Sequence, residues 1–143
     1  MAKRSRLMVL MLVGLLFLAL GQPVFALETE YREFIPQTYN FLAITECYFS
    51  DSGNGLVSVS GKTTTYTAVD KITTTVYLQK RTSSGWVDVK SWTNSTNNKS
   101  SCNVSGTTTV AKGCEYRAYC YHKAEKGNSI ETNTSSTNGY WVE

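Results

Sequence analysis

The sequence predicts an all-β protein, an antiparallel β-sandwich preceded by an N-terminal signal peptide. Three observations carry that expectation. Ser, Thr and Asn make up 42 of the 117 residues that follow Ala26, and their side chains compete with helical backbone hydrogen bonds. No stretch after Ala26 repeats apolar residues with a helical period, whereas short runs rich in Thr, Val and aromatics alternate with turn signals at sandwich spacing. Finally, the chain opens like an export signal. Lys3, Arg4 and Arg6 precede the uncharged run Leu7–Leu20, Gly21-Gln22-Pro23 breaks it, and Val24-Phe25-Ala26 offers small residues at a cleavage site.

Cleavage after Ala26 leaves 117 residues, enough for one domain. The 14-residue apolar run is short beside the ~20 residues of a spanning helix, and the processed chain is expected to be secreted with no membrane attachment. The formal charge of +3 belongs to the signal, because 11 basic and 11 acidic residues remain. A balanced chain gives no electrostatic reason to bind nucleic acid.

The expected organisation is a signal peptide at 1–26, an N-terminal arm at 27–40 and a β-sandwich domain at 41–143. The arm carries Glu28, Glu30, Arg32, Glu33 and Pro36 among scattered apolar residues. Phe41–Ser50 reads as the first strand and Asp51-Ser52-Gly53-Asn54-Gly55 as a tight turn, in which Asp51 bonds its own backbone. Leu56–Gly61 is a second strand, Lys62–Asp70 a polar excursion, and Lys71–Lys80 and Gly85–Trp92 a hairpin. Asn94–Lys99 reads as a loop, Ser101–Val110 as a strand, Lys112-Gly113 as a corner and Cys114–Lys123 as a strand. Gly127-Asn128 turns the chain into a last strand, broken near Asn138-Gly139.

A four-residue loop at Arg81–Ser84 would set Leu78 opposite Val87 and Val76 opposite Val89, with one face apolar as burial requires. Tyr77, Trp86 and Trp92 then share the other face with Gln79 and Asp88. On the strand from Cys114, the charged Glu115 and Arg117 share one parity with Tyr119 and Tyr121, which leaves Cys114, Tyr116, Ala118 and Cys120 facing inward.

Tyr77-Leu78-Gln79-Lys80, Ser84-Gly85-Trp86-Val87-Asp88-Val89-Lys90-Ser91-Trp92, Lys112-Gly113 and Tyr116-Arg117-Ala118 together resemble a family of small secreted proteins of Gram-positive bacteria whose function is uncharacterised. The resemblance covers roughly residues 41–123. It implies an immunoglobulin-like sandwich and export, and it brings no catalytic residues.

Four cysteines in an exported domain suggest two disulfides. Cys114 and Cys120 on one extended strand are ~20 Å apart, far beyond disulfide reach, which removes that pairing and its complement, Cys47–Cys102. An immunoglobulin-like layout favours Cys47–Cys114 with Cys102–Cys120 over the other surviving combination.

Chemistry is sparse. His122 is the one histidine, it lies on the inward parity, and no G-x-S-x-G elbow accompanies it. Dispersed cysteines make no zinc cluster, no nucleotide-binding glycine motif occurs, and the acids form no obvious glycosidase pair. Asn94, Asn98, Asn103 and Asn133 begin glycan-acceptor triplets, a pattern that arises by chance in so Asn-, Ser- and Thr-rich a chain. No enzyme activity, cofactor or metal is expected. The candidate ligand-binding residues are Tyr77, Trp86, Trp92, Arg117, Tyr119 and Tyr121, types that dominate binding hot spots. The leading expectation is a non-catalytic interaction module for a surface polymer, glycan or protein; the alternative is a small antibacterial effector or its protective partner.

Overall fold

A computed structural model describes residues 29–34 and 39–143. The expected signal peptide lies outside the described residues. Among those described there is no helix, and seven strands follow in order: β1 (Thr29–Phe34), β2 (Leu42–Asp51), β3 (Leu56–Thr82), β4 (Gly85–Thr109), β5 (Cys114–Lys126), β6 (Ser129–Ser136) and β7 (Tyr140–Val142). All pairings are antiparallel. Part of the expected arm is therefore a strand: β1 pairs with β2 from Thr29 opposite Phe49 to Phe34 opposite Ile44.

The main departure from expectation is the length of β3 and β4. The polar excursion at 62–70 and the loop at 94–99 are both strand. Threonine makes this possible, because its β-branched body suits a pleated surface and its hydroxyl can find a partner when turned inward. Thr63, Thr65 and Thr74 are all buried.

The two long strands bend together. Register breaks between Thr64 and Val69, residues 66–68 are exposed at the corner, and Thr65 Oγ1 donates to the Thr67 carbonyl at 2.7 Å. Before the bend, β3 lies between β2 and the end of β4; after it, between β5 and the start of β4. One hairpin thus supplies neighbouring strands to two leaves, β1-β2-β3-β4 and β4-β3-β5 with β6 and β7 beyond. The sheet curls until β2 meets β5: Gly61, opposite Cys47 on β3, lies so close to Cys120 that a Cβ there would be 2.7 Å from its sulfur.

Two apolar clusters fill the curl. Phe49, Val57, Val59, Val76, Leu78, Tyr116, Ala118 and Val142 form the larger with Cys47 and Cys120. Phe41, Leu42, Val69, Ile72, Cys102 and Ala124 form the other. β2, β3 and β5 each pass through a polar position between them: Thr45 on β2, Thr63 and Thr74 on β3, and His122 on β5, all fully buried. The open side between β2 and β6 is fastened by Glu131, whose carboxylate accepts the backbone N–H groups of Asn40, Phe41 and Leu42 at 2.6–3.1 Å.

The hairpin register differs from the expected one. Its loop is two residues, with Thr82 opposite Gly85, and a bulge between Leu78 and Gln79 leaves Val89 without a partner. Val76 and Leu78 are buried, but Val87 and Val89 are 44% and 49% exposed. Trp92, not a valine, lies opposite Val76. Its indole packs against the larger cluster and over Gly106, where a Cβ would fall 2.1 Å from the ring. The indole thus reaches from its position opposite Val76 to Gly106, which lies opposite Val59.

The turn at Asp51–Gly55 forms as expected, with Gly53 N donating to Asp51 Oδ1 at 2.8 Å. Asn54 and Gly55 both take positive φ, and a Cβ at Gly55 would meet the Val110 carbonyl at 2.6 Å.

Candidate functional site

The site lies on the outer surface of the second leaf. Alternation along β3 buries Val76 and Leu78 and turns Tyr77, Gln79 and Arg81 outward; along β5 it buries Tyr116, Ala118 and Cys120 and turns Arg117, Tyr119 and Tyr121 outward. Register then sets Tyr77 opposite Tyr119, Gln79 opposite Arg117 and Arg81 opposite Trp86.

These residues form a connected row. The Tyr77 and Tyr119 rings are tilted at 51° with centroids 6.0 Å apart, within the range of favourable aromatic pairs. The Arg117 guanidinium stands 4.5 Å from the Trp86 ring centroid and 5.9 Å from that of Tyr119. Arg81 approaches the same indole at 5.3 Å. Burial, joined by the like charge of Arg81, pulls the Arg117 pKa below its ordinary value, against the opposing effect of Tyr119. At pH 7 it remains a cation.

Beside the row runs a groove of about 580 Å³. Trp86, Arg117 and Tyr119 line one side, and the chain from Thr134 to Gly139 lines the other. That second wall is pinned at Thr137, whose N–H donates to the Ala118 carbonyl at 3.0 Å and whose hydroxyl accepts the Ala118 N–H at 3.1 Å.

The structure thus gathers Tyr77, Trp86, Arg117 and Tyr119, with Tyr121 two residues further along the same face of β5. Trp92 does not join them. The bulge puts it on the inner face, where it is a packing residue with Lys90 Nζ 5.2 Å from its ring. Sequence reasoning missed the groove wall, since nothing in Thr134–Gly139 marks a binding segment. It placed Gln79 and Asp88 on this face without seeing their connection; the two-residue loop puts them directly opposite each other.

No two cysteine sulfurs stand at disulfide-bond distance. The Cys47 and Cys120 sulfurs are 2.7 Å apart, and burial, with Cys47 beside it, pushes the Cys120 pKa up. Cys114 is six residues from Cys120 on one extended strand, so it cannot reach the same partner. The expected Cys47–Cys114 and Cys102–Cys120 pairs are not brought together in this arrangement. Cys102 packs in the smaller cluster with its thiol donating to the Asn94 carbonyl at 3.4 Å.

His122 is fully buried and bonded on both sides, with Nδ1 2.8 Å from Thr63 Oγ1 and Nε2 2.8 Å from Ser135 Oγ. The direction of this chain follows from its end. Thr74 donates its proton to the Cys102 carbonyl, so Thr63 donates to Thr74 across 2.6 Å. His122 must then donate from Nδ1 to Thr63 and accept from Ser135 at Nε2. Burial lowers its pKa to about 4, and the imidazole is neutral at pH 7. A Ser–His pair exists, but the group behind the imidazole is a hydroxyl, not a carboxylate that could stabilise an imidazolium.

Among the described residues no cluster of three or more His, Cys, Asp or Glu side chains could hold a metal ion. Neither a protein-family model nor a curated protein matches the chain at a significant level.

Proposed function

We propose that this is an exported, non-catalytic interaction module of immunoglobulin-like architecture, which binds a cell-surface polymer, glycan or protein through the outer face of its second leaf. The observation that carries the reading is the row Tyr77–Tyr119–Arg117–Trp86 standing beside a groove. Aromatic faces cover sugar rings and partner side chains alike, and Tyr, Trp and Arg supply most of the energy at binding hot spots. The packing of β2 against β5 supports the immunoglobulin-like reading, and in an oxidising compartment Cys47 and Cys120 are the pair to cross-link. A buried histidine backed by a threonine supports a structural role for His122.

The test is retention on purified cell-wall polysaccharide and intact cells. Trp86→Ala and Tyr119→Ala should each weaken retention about tenfold or more while leaving the thermal midpoint near that of the parent. Undiminished retention by folded variants would refute the assignment. So would unfolding of both variants, since the rings would then be part of the core.

A further inference from the structure

We propose that the groove beside Trp86 takes an acidic sugar unit of a polysaccharide, with its carboxylate or phosphate held by Arg117 and its ring covered by the aromatic wall. This rests on the interaction-face reading above and gives its ligand a charge.

Arg117 is held from behind. Asp88 Oδ1 accepts from Gln79 Nε2 at 2.8 Å, and Gln79 Oε1 accepts from Arg117 Nε at 2.8 Å. Asp88 can only accept and Arg117 can only donate, so the Gln79 amide has one possible orientation. Gln79 is a positioning residue. It uses the Nε–H, and the four hydrogens on the two Nη atoms meet no acceptor among the described residues. Those hydrogens form the fork that binds a carboxylate or phosphate through two parallel bonds.

Charge points the same way. Arg81 and Arg117 lie 5.3 and 4.5 Å from the centroid of one indole, and among the described residues neither has a carboxylate within ion-pair distance. Asp88 is engaged by Gln79, and the Glu115 carboxylate lies against Gly139 at the end of the groove, beyond ion-pair distance of Arg117. A neutral ligand closing over Arg117 would remove water from a cation and return nothing for its charge, whereas an anion offsets that loss. The opposite wall suits a sugar, because Thr134, Ser136 and Asn138 line it with hydroxyl and amide groups. An acidic peptide such as poly-glutamate would satisfy the guanidinium but brings no ring whose C–H face could cover the indole.

The experiment is calorimetric titration of the mature chain with four probes: polygalacturonate, phosphorylated dextran, neutral dextran and poly-glutamate. Binding of either acidic polysaccharide in preference to dextran and poly-glutamate is expected, and comparison of the two identifies the anion. Arg117→Ala should weaken it about tenfold or more. Arg117→Lys should recover only part of that loss, since it keeps the charge without the fork, and it decides the matter if Arg117→Ala unfolds. Gln79→Leu should weaken binding while retaining the parent's salt dependence, because the cation is still present.

Dextran binding that is lost in Trp86→Ala and unchanged in Arg117→Ala would overturn the acidic ligand and leave the interaction face standing. Preference for poly-glutamate would overturn the sugar. Binding of none of the probes would overturn the proposal, and the cell-wall retention test above then decides whether the face itself survives.

Discussion

Lowering the pH should destabilise the protein through His122 before most carboxylates titrate. The imidazole is fully buried between two apolar clusters and its pKa falls from 6.5 to about 4 through burial. Its neighbours in the layer, Thr45, Thr63, Thr74 and Ser135, carry no charge to stabilise an imidazolium. Unfolding exposes the ring, so between pH 6.5 and 4 the unfolded chain binds a proton that the folded one refuses. Stability from this group is complete above about pH 6.5 and is lost progressively as pH falls through 4. A depression from 6.5 to about 4 corresponds to about 3 kcal/mol at full extent, a substantial fraction of the net stability of a small domain. Urea midpoints at half-unit steps from pH 7.5 to 4, for the parent and His122→Gln, isolate the effect. The variant will be weaker at every pH, but its slope in that window should be shallower by the histidine's share, because all carboxylates are common to both. Parallel profiles would refute the reasoning, as would an imidazole that titrates near 6.5 in the folded protein by NMR.

Three further outcomes follow from the packing. Gly106→Ala should cost about 1–3 kcal/mol by thermal melting, because the added methyl falls within the Trp92 indole, whose position is fixed by the core beneath it. Glu131→Ala leaves three N–H groups at the start of β2 without their shared acceptor and should cost about 2 kcal/mol, with faster amide exchange at residues 40–42. After oxidation by a disulfide-exchange reagent, non-reducing peptide mapping should recover Cys47 linked to Cys120, with Cys102 and Cys114 still alkylatable; a Cys102–Cys120 peptide would contradict the strand placement.

Strand type and the inside–outside parity of β5 were legible because alternation is strict there: Tyr116, Ala118 and Cys120 point inward, and Arg117, Tyr119 and Tyr121 outward. The break before Tyr140 and the Asp51 turn were equally readable from glycine and asparagine chemistry. The hairpin register was not. A bulge shifts pairing by one residue at no cost in composition, and the sequence Val87-Asp88-Val89 looks like a core-facing strand until the tryptophan two turns of the pleat later is seen to take that role. The Thr-rich and Asn-rich segments misled for a related reason. Their polarity suggests solvent, but Thr63 and Thr74 satisfy each other across 2.6 Å, a pairing visible only once the strand is bent. The cysteine partners depended on which strands meet across the curl, and that too is long-range information. Of the site, the aromatic and arginine row was readable from parity, whereas the groove wall and the Asp88–Gln79–Arg117 relay required the true register.

The bend shared by β3 and β4 ties the two leaves into one folded ribbon, and Ser83-Ser84 is the short turn from which that ribbon can zip. The wall completed by β2 and the wall completed by β5 both hang on these two backbones. Hydrogen exchange at Val59 and at Val76, in opposite walls, should therefore report a single opening event.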